Sequence, residues 1–94
     1  DLENIDWNTY PIELWDLDFD MNKDAYIFES LSGESIEIKG NDIYLWEMAD
    51  GNHTIKDIVF NENSPFKDQV LCLRDIISFY YRLYSSYALL FSEI

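Results

Sequence analysis

Residues 45–59 read LWEMADGNHTIKDIV, and their pattern predicts the end of one helix and the start of the next. The first helix is expected over residues 42–50. Gly51 follows it, and glycine is the usual residue just beyond a helix C-terminus. Thr54 supplies a side-chain oxygen for the amide groups that open the second helix. Asp57, three residues later, completes a capping box in which its carboxylate bonds back to the cap.

Three short strands are predicted on the N-terminal side of these helices. Residues 12–19 alternate apolar and acidic side chains, as a half-buried strand does, with a bulge expected midway. Residues 25–31 are rich in β-forming side chains, and residues 35–39 place Ile36 and Ile38 on one face. Short turns rich in Asn, Asp, Gly and Ser separate the strands, so the pattern predicts an antiparallel meander.

A long third helix is predicted for residues 65–84, because a Ser-Pro pair is a favourable helix start. At ~100° per residue its apolar side chains fall into two groups. The stripe expected in the core comprises Leu73, Ile76, Phe79, Tyr80 and Leu83. The second arc comprises Phe66, Val70, Ile77 and Tyr81, with Arg74 beside it. One small core needs a single stripe, so the second arc is expected to face a partner. In the C-terminal tail, residues 85–94, the stretch from Tyr87 to Ile94 is left open between an extension of the helix and a short extended segment.

The composition indicates one folded, acidic domain over residues 1–94. A formal net charge of −13 with only six Lys and Arg opposes nucleic-acid binding, and 48% hydrophobic residues oppose disorder. Three Trp, seven Tyr and six Phe exceed what so small a core needs, so some aromatic surface is expected to meet a partner. One cysteine, no signal-peptide pattern and no membrane-length apolar stretch together predict a cytoplasmic protein that binds no membrane.

Nothing in the sequence points to catalysis or to a cofactor, so neither is expected. The oxygen-bearing residues in 18–24, with Glu29, match the spacing of a calcium loop, but Lys23 stands where that loop needs Gly. A hairpin with acidic outward positions is the simpler interpretation. His53 has no other His or Cys nearby to share a metal, and Cys72 lies among apolar helical neighbours, where a thiol is inert.

The order of three strands, a short helix, a Thr-capped helix and a long helix is that of a winged helix-turn-helix domain with its strands first. Within that order, residues 45–59 resemble the PqqD-like proteins. These are also called RiPP recognition elements, after the ribosomally synthesised and post-translationally modified peptides. The shared pattern is Leu-Trp, Asp-Gly, two polar residues, Thr and a short apolar helix. Residues 83–90 resemble the family's ending, with Ala88 where Gly is usual, and Ile38-Lys39 stands where the family often has Leu-Asn. The resemblance covers roughly residues 14–90.

The resemblance implies an α+β, winged helix-turn-helix-like fold, with a three-stranded antiparallel sheet followed by three helices. It also implies a function: binding the leader segment of a precursor peptide and delivering it to a modifying enzyme of the same pathway. The leader would add as a strand to residues Ser35, Ile36, Glu37, Ile38 and Lys39. Its side chains would contact Val70, Ile77 and Tyr81, with Arg74 facing a leader carboxylate. The alternative is a regulatory winged-helix interaction domain that dimerises through its aromatics and binds no leader. Trp46 is expected in the core, whereas Trp15 is left open between packing and ligand stacking.

Overall fold

Four strands, three helices and a last strand follow one another along the chain. A computed structural model describes residues 7–66 and 69–92, with side chains except at 69–72. The described residues form a small α+β domain with antiparallel sheets and three helices. The elements are β1 (Tyr10–Glu13), β2 (Phe19–Asp20), β3 (Ala25–Glu29), β4 (Ser35–Lys39), α1 (Asp42–Met48), α2 (Ile55–Val59), α3 (Gln69–Ser85) and β5 (Leu89–Ser92). None of the helices in this part of the chain is long and apolar enough to cross a bilayer.

The larger sheet has the order β2-β3-β4 and is antiparallel throughout. The turn into β3 is held by Asp20, whose Oδ1 accepts bonds from the N–H groups of Asn22 and Lys23. The turn into β4 contains Gly33, whose φ of 89° is a conformation that favours glycine. The predicted third strand is confirmed at its exact bounds, and the second strand ends two residues earlier than predicted.

The prediction of one strand over residues 12–19 is wrong, because this segment serves two separate sheets. Its first part is β1, which pairs with β5 in a two-stranded sheet, and its end is β2. Between them the N–H of Leu14 bonds to the carbonyl of Ala88, and residues 14–18 lie outside both sheets. Within the tail that the sequence left open, Leu89–Ser92 is therefore a strand. Alternating side chains predicted extended chain correctly here but contained no information about its pairing partners.

The Asp-Gly turn and the second helix form as the sequence predicts. The Thr54 hydroxyl accepts from Asp57 N–H, and the Asp57 carboxylate accepts from Thr54 N–H, which completes the capping box. Gly51 has a φ of 81°, and its N–H bonds to the Pro11 carbonyl. An added Cβ there would lie 3.3 Å from Ile12 Cγ1, so this glycine serves both the turn and its close contact with β1.

The core lies between the larger sheet and the helices, with α3 as its longest wall. The stripe predicted for the core is buried at Ile76, Phe79, Tyr80 and Leu83, whereas Leu73 is only partly buried. The Tyr80 hydroxyl donates to the Leu45 carbonyl at 2.7 Å, which joins α3 to α1. Trp46 is buried as expected.

Candidate functional site

The outer edge of β4 carries backbone groups without a partner strand in the described residues. Ser30 N–H bonds to the Glu34 carbonyl at 2.8 Å, and Glu34 immediately precedes β4. Antiparallel ladders alternate bonded and non-bonded pairs, so Ile36 and Ile38 direct their N–H and C=O groups toward β3. The backbone groups of Ser35, Glu37 and Lys39 consequently point outward, away from the sheet.

The side chains of β4 divide in the same alternation. Ile36 and Ile38 are buried in the core, so an added strand could pair with the backbone near them but could not touch their side chains. Ser35, Glu37 and Lys39 have exposed side chains, with Lys39 Nζ 3.6 Å from Glu37 Oε1. Of the five residues predicted on this strand, three therefore present both backbone and side chain to a partner.

A groove of about 520 Å³ separates the end of β4 from α3. Its lining includes Lys39, Asp42, Asp75, Ser78, Phe79 and Arg82. Arg82 Nη2 also lies 3.7 Å from Glu34 Oε1, just before β4 begins. Because Arg82 near the end of α3 faces the start of β4, and Asp75 faces its end, the helix runs antiparallel to the strand. An extended chain added to β4 would thus have the Asp75–Arg82 face of α3 beside it.

Of the predicted second arc, only Phe66 lines this groove, and it does so from the segment before α3 rather than from the helix; Ile77 and Tyr81 do not line it, contrary to the prediction. Ile77 is 8% exposed and belongs to the core. Tyr81 is 48% exposed, but its ring packs on Phe91 of β5 at 5.6 Å between centroids. Arg74 is exposed and is not among the residues that line the groove. Val70, the fourth member predicted for the site, has a side chain outside the described residues.

The polar groove residues on α3 belong to neither of the two apolar groups predicted for this helix, whereas Phe79 comes from the predicted core stripe. Asp75, Ser78 and Arg82 are polar and exposed, so their pattern is the same as that of any solvent-exposed helix face. Their spacing of three and four residues does place them on one side of the helix. This spacing was the only sequence feature that could have grouped the three residues, and it does not predict which strand or helix faces them.

The charges of the groove differ between its ends. At the end near Asp42, burial raises the pKa of the Asp42 carboxyl, the neighbouring Asp75 carboxylate raises it further, and Arg82 opposes them. Two carboxylates thus share this end and favour a cation there. Toward the start of β4 the groove is bounded by the Arg82–Glu34 ion pair. Arg82, and not Arg74, is therefore the α3 cation that lines the groove.

The candidate metal ligands do not converge in the described part of the molecule. Among the side chains described, no three of His, Cys, Asp and Glu are placed to hold an ion. The Asp20 carboxylate of the calcium-like stretch is bonded to its own turn, and His53 Nδ1 lies 3.0 Å from Asp50 Oδ1. The side chain of Cys72 lies outside the described residues.

The open edge of β4 and the groove beside it are the features of this region that best fit a ligand. Together they offer three outward pairs of backbone groups, two buried aromatic side chains at Phe66 and Phe79, and charged side chains of both signs. Such an arrangement can hold an extended peptide. Comparison of the chain with protein-family models, with curated proteins and with solved structures found no match.

Proposed function

We propose that this domain binds an extended peptide as an additional strand on β4, and that the peptide is the leader of a ribosomally made precursor. The observation that carries the proposal is the outward direction of the backbone groups of Ser35, Glu37 and Lys39. Edge strands with unpaired N–H and C=O groups are the surfaces on which strand addition occurs. The leader, the delivery to a modifying enzyme and the winged helix-turn-helix relationship rest on the resemblance of residues 45–59.

The groove supplies the selectivity that backbone pairing lacks. In an added strand alternate side chains point to the same face, so every second leader side chain would enter the space between β4 and α3. Phe79 offers an apolar contact there, while Asp42 and Asp75 favour a basic leader residue at one end. A net charge of −13 also steers a basic leader toward the domain more quickly at low salt.

The proposal assigns no chemical step, cofactor or nucleic-acid contact to this chain. Its role is to hold one peptide and present it to a cytoplasmic modifying enzyme. Nucleic-acid binding is disfavoured because phosphates would have to be neutralised by cations that the sequence lacks.

Hydrogen exchange at single amides tests the mode of binding directly. In the free domain the amides of Ile36 and Ile38, bonded to β3, should exchange slowly, while those of Ser35, Glu37 and Lys39 exchange rapidly. Synthetic leaders of precursor peptides encoded beside this chain's gene would then be added to ¹⁵N-labelled protein. Strand addition predicts new protection at Ser35, Glu37 and Lys39 and little change at the two isoleucines.

A proline substitution provides the matched variant. Glu37→Pro removes one outward donor and places a ring where the added strand must lie, but it breaks no bond to β3. Glu37→Ala keeps the donor and removes only the charge. We expect leader binding to fall at least about tenfold for the proline variant, from the lost bond and an unsatisfied leader carbonyl, and far less for alanine. Tight binding without new protection along β4, or equal loss in both variants, would contradict strand addition.

One observation favours the alternative of an interaction domain that dimerises. Tyr81 and Tyr84 are each about half exposed, and both rings pack on Phe91 at the β5 strand. This aromatic cluster lies away from the β4 groove and carries no charge, which suits contact with a second copy. Light scattering at rising protein concentration measures it: a dimer that Tyr84→Ala dissociates would support this function.

A further inference from the structure

A second concave surface lies beside Ser86 and Tyr87, the residues that follow α3, and the proposed function does not use it. This cavity of about 350 Å³, the Trp15 pocket, has walls formed by Trp15, Phe28, Leu31 and Tyr87, with Asp16 and Glu29 among its other lining residues. Three of its apolar side chains are unusually accessible: Trp15 is 51%, Tyr87 72% and Leu31 94% exposed. Large exposed apolar groups gathered around one concavity mark a binding surface more often than isolated ones do.

The aromatic wall is held in place before any ligand arrives. Trp15 Nε1–H donates to the Tyr87 carbonyl at 2.9 Å, which joins the segment after β1 to the exit of α3. The indole nitrogen is thereby satisfied, and the accessible π surface of the ring is left for a partner. An anchored ring loses little conformational freedom on binding, which lowers the cost of using it as a contact.

The charges around Trp15 have one sign. Asp16 and Glu29 line the Trp15 pocket, and an adjoining concavity shares Trp15 and Asp16 and adds Glu13 and Asp50. Neither lining contains a lysine or an arginine. The local field is strong enough to act on the protein's own groups: burial raises the pKa of Glu13, and the carboxylates of Asp16, Asp50 and Glu47 raise it further.

We propose that the Trp15 pocket binds a lysine or arginine side chain of a partner polypeptide. The alkyl stem would lie against Leu31 and Phe28, and the cation would sit over the Trp15 ring within reach of Asp16 and Glu29. Basic side chains suit such a site because their stems are apolar and their heads are attracted both to aromatic faces and to carboxylates. A purely apolar partner would desolvate the carboxylates without pairing them, and an acidic one would be repelled. The proposal does not depend on strand addition to β4.

The indole resonance of Trp15 provides a local readout. In ¹H–¹⁵N spectra this crosspeak, assigned through a Trp15→Phe variant, would be followed during titration with acetyl-Leu-Arg-Leu amide. The comparison probe is the same peptide with citrulline, which keeps the shape of arginine and lacks its charge. We expect a saturable shift with the arginine peptide, and binding of the citrulline peptide weaker by about two- to fivefold or more, the range of an exposed cation–aromatic contact.

A charge-matched pair of variants separates the pocket from the general field of an acidic protein. The double change Asp16→Asn with Glu29→Gln should weaken arginine-peptide binding by a similar factor of about two to five. Asp18→Asn with Glu62→Gln removes two exposed carboxylates that line neither concavity, and it should leave binding unchanged. Equal binding of the two peptides, equal loss in the two double variants, or a titration that moves β4 amides without moving the Trp15 indole would each overturn the proposal.

Discussion

Removing the hydroxyl of Tyr80 should destabilise the domain more than its single-atom size suggests. That hydroxyl is fully enclosed and donates to the Leu45 carbonyl at 2.7 Å. Ala49, which would donate to this carbonyl in a continued helix, donates to Trp46 instead. Tyr80→Phe therefore leaves a buried carbonyl without this donor, at a cost of about 1–3 kcal/mol. For a domain of this length that corresponds to a fall in Tm of at least about 4–8 °C.

Thermal unfolding followed by circular dichroism measures this effect, and Tyr84→Phe is the matched control. Tyr84 is on the same helix and 50% exposed, and its ring contact with Phe91 does not require the hydroxyl. We expect the control to unfold within about 0.5 kcal/mol of the parent, as surface substitutions usually do. If the Tyr80 and Tyr84 variants unfolded at the same temperature, the bond to Leu45 would not be contributing to the junction of α1 and α3.

Three further outcomes follow from the same contacts. Burial and nearby carboxylates raise the pKa of Glu13 above 4.5, so between 4.5 and that raised value the native state binds more protons than the unfolded state and loses stability as pH rises. Glu13→Gln should raise the stability at pH 7 by up to about 0.5 kcal/mol, seen as a higher Tm. The same melts below pH 4.5 should show the gain disappearing. Thr54→Ala should cost about 1 kcal/mol in urea denaturation through loss of the helix cap, and Thr54→Ser should restore most of it. Tyr81→Ala should leave leader binding at β4 unchanged, because the Tyr81 ring packs on Phe91. If the leader no longer protected the β4 amides of this variant, Tyr81 would have to contact the bound leader.

The parts of the fold that could be predicted are those controlled by near neighbours in sequence. The Thr54 capping box, the bounds of β4 and the buried face of α3 at Ile76, Tyr80 and Leu83 all follow from spacing within a few residues. The interactions responsible are short hydrogen bonds and the burial of residues three or four apart, which any fold of this chain would keep.

The candidate site was predicted only in part, because it depends on how distant elements meet. The sequence identified β4 as a strand but could not say which of its amides face outward; that phase follows from the Ser30–Glu34 bond. It also separated α3 into faces but assigned the groove to Tyr81 and Ile77, whereas the β4 side is lined by Asp75, Ser78 and Arg82.

The sequence by itself determined that this is an acidic α+β domain with short antiparallel strands, a capped second helix and a long third helix. The tertiary structure alone decided that residues 12–19 divide between two sheets, that the tail returns as β5, and that Trp15 stands exposed beside Tyr87. Helix caps and hydrophobic periodicity are recorded locally in the chain. Strand partners, helix orientation and pockets are set by the packing of segments as far apart as residues 15 and 87, whose pairing no local pattern encodes.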